Sequence, residues 1–175
     1  MSKIRLGTIW LDACSGCHMS FLDMDEALLP VADRVEVVFS PLVDAKTIPE
    51  QVDVFLISGS VSTEEDVETV RKIRESAAVV VSLGDCAVTG NVPSMRNRYS
   101  AAEVLDAVYR ESDPEGDIPS QEVPKLLDHA LPVHHIVEVD AFIQGCPPHP
   151  DLIKFILNEL LEGRVPGRGV RTTFG

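Results

Sequence analysis

Apolar runs alternate with helical patterns along the chain, and the two periodicities divide it into elements. Lys3–Leu11 reads as a first strand that ends at a turn around Asp12–Gly16. Met19–Leu29 reads as a helix stopped near Pro30, because proline disrupts a helix interior. Val35–Phe39 is a short β-branched run, and Val52–Ser58 is a third strand approached from Pro49. Ser62–Glu75 opens with Ser62 or Thr63 placed to cap a helix and Glu65 or Asp66 at the reciprocal position of a capping box. Arg and Lys near its end suit a helix C-terminus. Ala77–Leu83 is apolar without alternation, the pattern of a strand buried on both faces. Further along, Ser100–Arg110 reads as a helix, Asp113–Pro124 as a proline- and acid-rich surface excursion, His134–Asp140 as a strand and Pro150–Leu161 as a terminal helix. The tail 163–175 has no periodicity and is expected to be irregular.

Strands separated by helices need crossover connections, so the expected fold is α/β: a mainly parallel sheet with helices on both faces. A chain of 175 residues suits one domain over 1–175 and can bury a core without disulfide or metal staples. In open sheets of this kind, sites form outside the carboxyl ends of the strands.

The composition, 45% hydrophobic and 25% charged, is that of an ordinary globular protein. A net charge of −13 argues against a nucleic-acid partner, which needs a surplus of Lys and Arg on some face. The acidic balance itself reads as solubility. No segment approaches the roughly 20 apolar residues that span a bilayer, so no membrane association is expected. The N-terminal residues show neither a secretory pattern nor a twin-arginine pair, and the expected location is the cytoplasm. Disulfides are rare there, which leaves the four cysteines as metal ligands, catalytic thiols or buried filler.

Their positions narrow the choice. Cys14 and Cys17 follow the first strand in D-A-C-S-G-C-H, Cys86 follows the apolar strand in L-G-D-C-A, and Cys146 follows the last strand in G-C-P-P-H-P. A parallel sheet would bring all of them to one edge. Converging thiolates suit an iron–sulfur cluster or a zinc ion. A redox C-x-x-C remains an alternative, and Cys86 on its own fits a small buried residue. One close pair and two singles depart from the paired knuckles usual for structural zinc. Gly16, Gly84 and Gly145 flank the cysteines, where glycine lets backbone N–H groups approach cluster sulfurs. Pro147 and Pro148 remove two donors and stiffen the last loop.

Other residues carry weaker signals. His18 reads as a packing or solvent residue, His134 and His135 as the start of a strand with at least one facing out, and His149 as a sulfur contact, a partner contact or the lead into the last helix. Trp10 reads first as core. The segment S-G-S-V-S-T after the third strand offers hydroxyls to an FMN phosphate at a helix N-terminus, but Ser and Thr also cap helices, and capping is the expectation. Asp23, Asp25 and Glu26 read as a solvated helix face.

D-A-C-S-G-C-H-M-S-F-L-D, G-D-C-A-V-T-G and G-C-P-P-H-P, in that order, resemble the small subunit of nickel–iron hydrogenases, and most closely the short form of the cytoplasmic NAD-reducing enzymes. The resemblance implies a flavodoxin-like fold, with Cys14, Cys17, Cys86 and Cys146 as ligands of a single 4Fe–4S cluster proximal to the nickel–iron site. It also implies two partners. One is a large subunit that carries that site, without which this chain would not act on hydrogen. The other is a diaphorase module with FMN and further iron–sulfur clusters that reduces NAD⁺. The stretch 151–175 has no cysteine, unlike members with two more clusters in a C-terminal domain. Complex I subunits acting on quinone share the ancestry but are expected to show an adjacent Cys–Cys pair, which the spaced Cys14/Cys17 does not match.

Overall fold

The computed structural model describes residues 3–111, 113 and 115–166. Among the described residues the strands and α-helices run in the order β1 Ile4–Trp10, α1 Gly16–Leu22, α2 Leu28–Arg34, β2 Val35–Phe39, β3 Val52–Ser58, β4 Val61–Thr63, α3 Glu64–Ser76, β5 Ala77–Leu83, α4 Asp85–Thr89, α5 Ala101–Leu105, β6 Leu126–Leu131, β7 Ala141–Ile143 and α6 Pro150–Leu161. Five strands form one sheet in the order β2-β1-β3-β5-β7, and every pairing in it is parallel. Counted within that sheet the order is 2-1-3-4-5, the flavodoxin-like arrangement.

The pleat sends alternate residues to two cores. On one face Leu6, Val54, Leu56, Val81 and Leu83 pack with Val31 of α2 and with Ile153, Ile156 and Leu157 of α6. On the other, Phe55, Ile57 and Val80 pack with Val70 and Ile73 of α3. Each fully buried aliphatic side chain is worth about 1.5–3 kcal/mol of transfer free energy, so α3 and α6 are held chiefly by these stripes. Phe55 fits only because its neighbour on β1 is a glycine: a Cβ on Gly7 would lie 2.5 Å from the ring.

β2, β3, β5 and α6 have the boundaries expected from their apolar runs. The helix over 62–75 is capped by Thr63 with Asp66 as its reciprocal partner, and Ser62 lies in β4. The expected helix Met19–Leu29 is instead two helices with a 3-10 turn at Asp25–Ala27 between them. Pro30 does not stop a helix: it sits in the first turn of α2, where a missing N–H costs nothing. Ser100–Arg110 is helical, as α5 followed by a π-helical turn over Asp106–Arg110.

The expected strand His134–Asp140 does not form. Val133–His135 is a 3-10 turn, and the edge strand starts only at Ala141. Asp140 explains the delay: its Oδ2 accepts from Val80 N at 2.7 Å while its own N–H donates to Val80 O at 2.9 Å, so a side chain takes the place of a ladder carbonyl. The sheet gains an unexpected neighbour in the antiparallel pair β4–β6. The described residues of the 113–124 excursion are mostly exposed. Of the expected irregular tail, 163–166 is irregular, and 167–175 lies outside the described residues.

A four-cysteine candidate metal centre

Each strand that meets the carboxyl edge hands its chain to a short, constrained loop. β1 runs on until Leu11 N–H donates to Ser58 O at 2.8 Å, and Asp12 and Ser60 exchange backbone bonds at 3.2 and 3.0 Å. Ser62 Oγ donates to the Asp12 carboxylate. Ser15, at φ 65, then turns the chain into α1, which places Cys14 just before the helix and Cys17 in its first turn. β5 ends at Gly84, at φ 81, and Cys86 sits in the first turn of α4. β7 ends two residues before Gly145, and Cys146 and Pro147 follow, joined by a cis peptide bond.

The loops are then laced to one another. Gly84 N–H donates to Ile143 O at 2.7 Å, Asp85 N–H to Gly145 O at 2.9 Å, and Gly145 N–H back to Asp85 Oδ1 at 2.8 Å. Ser20 Oγ of α1 donates to Pro148 O. Asn91 Nδ2 donates to Cys146 Sγ at 3.2 Å. The topology thus brings all four sequence-expected cysteines to one edge, and none is in a disulfide.

Their electrostatics show how close they stand. Burial, then the neighbouring Cys86, Cys14 and Cys146 sulfurs and the Asp85 carboxylate, push the Cys17 thiol up to about 12. Burial, then Cys146 and Cys14, also raise Cys86, and the Asn91 amide is the group that pulls it back. Four thiols in one volume cannot ionise together unless positive charge enters with them. Metal supplies that charge, and a coordinating thiol deprotonates outright.

Two features speak to what could be held. Among the described residues, no set of three or more His, Cys, Asp or Glu is grouped closely enough to hold a single metal ion. The cradle, by contrast, is shaped around sulfur: a Cβ on Gly84 would lie 2.2 Å from Cys17 Sγ, and one on Gly16 would lie 3.3 Å from Cys14 Sγ. Sulfur occupies the space that side chains would take, and the donor set is the one iron–sulfur clusters use. Cys14, Cys17, Cys86 and Cys146 therefore fit an iron–sulfur group.

Several other residues take roles the sequence did not give them. Trp10 is 37% exposed, not core, and meets the buried His18 ring edge-on at 5.2 Å. Ser58 Oγ donates to Ile9 O at 3.3 Å and lies 3.2 Å from His18 Nδ1, within hydrogen-bond reach. Burial keeps this imidazole below the ordinary value, and His18 Nε2 is buried without a hydrogen-bond partner among the described residues. His149 caps α6, its Nδ1 accepting from Asp151 N–H at 3.3 Å. His134 and His135 both face out. The S-G-S-V-S-T hydroxyls are engaged internally, Ser60 with Ser62 and Ser62 with Asp12. Asp23, Asp25 and Glu26 are exposed as expected. Asp85, Ser20 and Asn91 escaped the sequence reading, although the Gly90–Asn91 pair after Cys86 is a turn signal.

Known proteins are similar to this chain in sequence and in fold. Residues 14–160, a span that includes all four cysteines, match the family model described as the NADH ubiquinone oxidoreductase 20 Kd subunit. The chain is 45% identical over 168 residues to a subunit of the vhu F420-non-reducing hydrogenase of Methanococcus voltae, covering 94% of this chain and 58% of that one. It therefore spans little more than half the length of that relative. It is 40% identical over 168 residues to the delta subunit of the NAD-reducing hydrogenase HoxS of Cupriavidus necator, covering 93% of this chain and 80% of that one. The crystal structure of an NAD⁺-reducing [NiFe]-hydrogenase in the H₂-reduced state contains a chain that superposes with a TM-score of 0.91 at 39% identity, covering 98% of this chain and all of that one. Among the described residues, no helix is long and apolar enough to cross a membrane.

Proposed function

The chain belongs to the NADH ubiquinone oxidoreductase 20 kDa subunit family, which includes hydrogenase small subunits, and from that premise we propose that it is the electron-transfer small subunit of a nickel–iron hydrogenase. The observation that carries this reading is the convergence of Cys14, Cys17, Cys86 and Cys146 from three loops onto one sheet edge. These residues would hold one 4Fe–4S cluster. Bound there, such a cluster supplies a one-electron store between the nickel–iron site of a large subunit and a diaphorase module that carries FMN and further clusters and reduces NAD⁺.

The chain's own residues prepare the site. Gly84 leaves room for the Cys17 sulfur. The Asp85–Gly145 and Gly84–Ile143 bonds fix the Cys86 loop against the Cys146 loop, which supports a site held in shape by the fold. Cys17 and Cys86 are partly buried, whereas Cys14 and Cys146 are exposed. Large apolar side chains are exposed on the same segments: Met19 and Leu22 after Cys17, and Val92, Met95 and Tyr99 after Cys86. Apolar surface of this kind marks an interface. A large subunit docked there would exclude water from the two exposed sulfurs.

The final acceptor has a second reading. The relative at 45% identity is named for a hydrogenase that does not reduce F420, and that name does not specify NAD⁺. The test is three measurements on the wild-type and Cys86→Ala complexes purified without oxygen: iron and acid-labile sulfide, nickel in the co-purifying chains, and H₂-dependent reduction of NAD⁺. A Cys86→Ala complex with about four irons and four sulfides fewer than the wild type, beside nickel and NAD⁺ reduction in the wild type, supports the full reading. Nickel without NAD⁺ reduction moves the acceptor to the second reading. A membrane-embedded, nickel-free partner set would identify a complex I-type subunit.

A further inference from the structure

Asn91 has no part in the ligand set, yet its side chain touches it. It lies in the turn after α4, at φ 36, a left-handed conformation that asparagine tolerates and most side chains avoid. The turn is tightly held. Asn91 O accepts from Ser94 N–H at 3.2 Å and from Ser94 Oγ at 2.7 Å. Thr89 Oγ1, which donates to Asp85 O at 2.8 Å, accepts from Asn91 N–H at 3.4 Å. The preceding Gly90, at φ 86, has no space for a side chain, because a Cβ there would meet Ser94 Cβ at 2.9 Å.

A turn built this way needs nothing from the Asn91 amide. The amide nevertheless reaches out of its own loop to Cys146, 55 residues further along the chain, and donates to its sulfur at 3.2 Å. An N–H donor at a ligand sulfur stabilises the more negative state of an iron–sulfur group and so raises its reduction potential. Resting on the iron–sulfur reading above, we propose that Asn91 is a positioning residue that sets the potential of the bound cluster through its hydrogen bond to Cys146.

Two variants separate this role from turn-keeping. N91G suits the positive φ and removes the donor. N91D keeps the shape and its tolerance of the turn, but replaces the amide with an acceptor that carries negative charge. Each is purified anaerobically with its accompanying chains, assayed for iron and sulfide, and titrated against redox mediators while the reduced-cluster signal is followed by electron paramagnetic resonance. The expected result is unchanged iron and sulfide with a reduction equilibrium about tenfold less favourable in N91G, 59 mV for a one-electron couple, and a larger drop in N91D. Full loading with wild-type potentials in both variants overturns this inference and leaves the proposed function standing. Loss of iron in both variants makes Asn91 an assembly residue and overturns the tuning role. Absence of sulfide from the wild-type complex overturns the proposed function, and this inference with it.

Discussion

Replacing Gly84 by alanine tests the cradle most directly. Two separate costs act at this position. Gly84 has φ 81 and ψ 162, a region of backbone space open essentially to glycine, and a side chain held there costs about 1–3 kcal/mol. The second cost is local to the site. The new Cβ would lie 2.2 Å from Cys17 Sγ, and ordinary contact begins at 3.4 Å, so the sulfur must withdraw by about 1.2 Å. Metal–ligand bonds tolerate about 0.2 Å. The fold can absorb the first cost, whereas a ligand sulfur cannot absorb the second and stay bonded. Gly163 supplies the control: it has φ 73 with nothing within 4 Å of its Cβ position, so Gly163→Ala carries a positive-φ cost without a clash. Both variants should melt a few degrees below the wild type. Only Gly84→Ala should also lose iron and acid-labile sulfide, and the charge-transfer absorption that goes with them. Gly84→Ala protein with full iron and sulfide would refute the reasoning, because Cys17 would then not be a ligand held in the place the cradle gives it.

Cys86→Ala should lower bound iron and abolish H₂-dependent reduction of the acceptor by the complex; an active variant would remove Cys86 from the ligand set. Gly7→Ala drives a methyl group to 2.5 Å from the fully buried Phe55 ring and should cost about 1–3 kcal/mol by overpacking, read as a lower melting temperature that Phe55→Leu partly restores. A Gly7→Ala protein that melts with the wild type would show that the ring can move aside. Backbone and hydroxyl hydrogen bonds from Ser100 hold Glu103 below its ordinary value of 4.5, so its ionised form contributes stability above that value and loses it as the pH falls through the folded one. The melting-temperature gap between wild type and Glu103→Ala should therefore narrow on acidification below pH 4.5, and a gap that stays constant would contradict the capping box.

The parallel sheet was readable because each central strand is apolar on both faces: Val52–Ser58 and Ala77–Leu83 leave little choice but burial between helix layers. The family resemblance carried by the three cysteine motifs is borne out by the matched relatives. The delayed edge strand comes from a side chain that competes with the backbone. Val137 and Val139 looked like strand residues and are packed into a core, but the Asp140 carboxylate takes the sheet's hydrogen bond and delays β7. β4 and β6 escaped notice because neither has a long apolar run and each pairs only with a distant partner. Asn91 and Asp85 lie beside the expected cysteines, but their bonds cross 55 and 60 residues of sequence, and no local pattern encodes them.

β7 is three residues long and forms the outer edge of the sheet. The loop that carries Cys146 hangs from it and is tied to α1 by a bond that spans 128 residues. Contacts of such separation form late in folding, because the entropy of closing a long loop must be met before they return anything. In a growing polypeptide Cys14, Cys17 and Cys86 emerge before the strand that completes their surroundings. For the proposed cluster the topology then sets an order: β7 docks before Cys146 can join the other three cysteines.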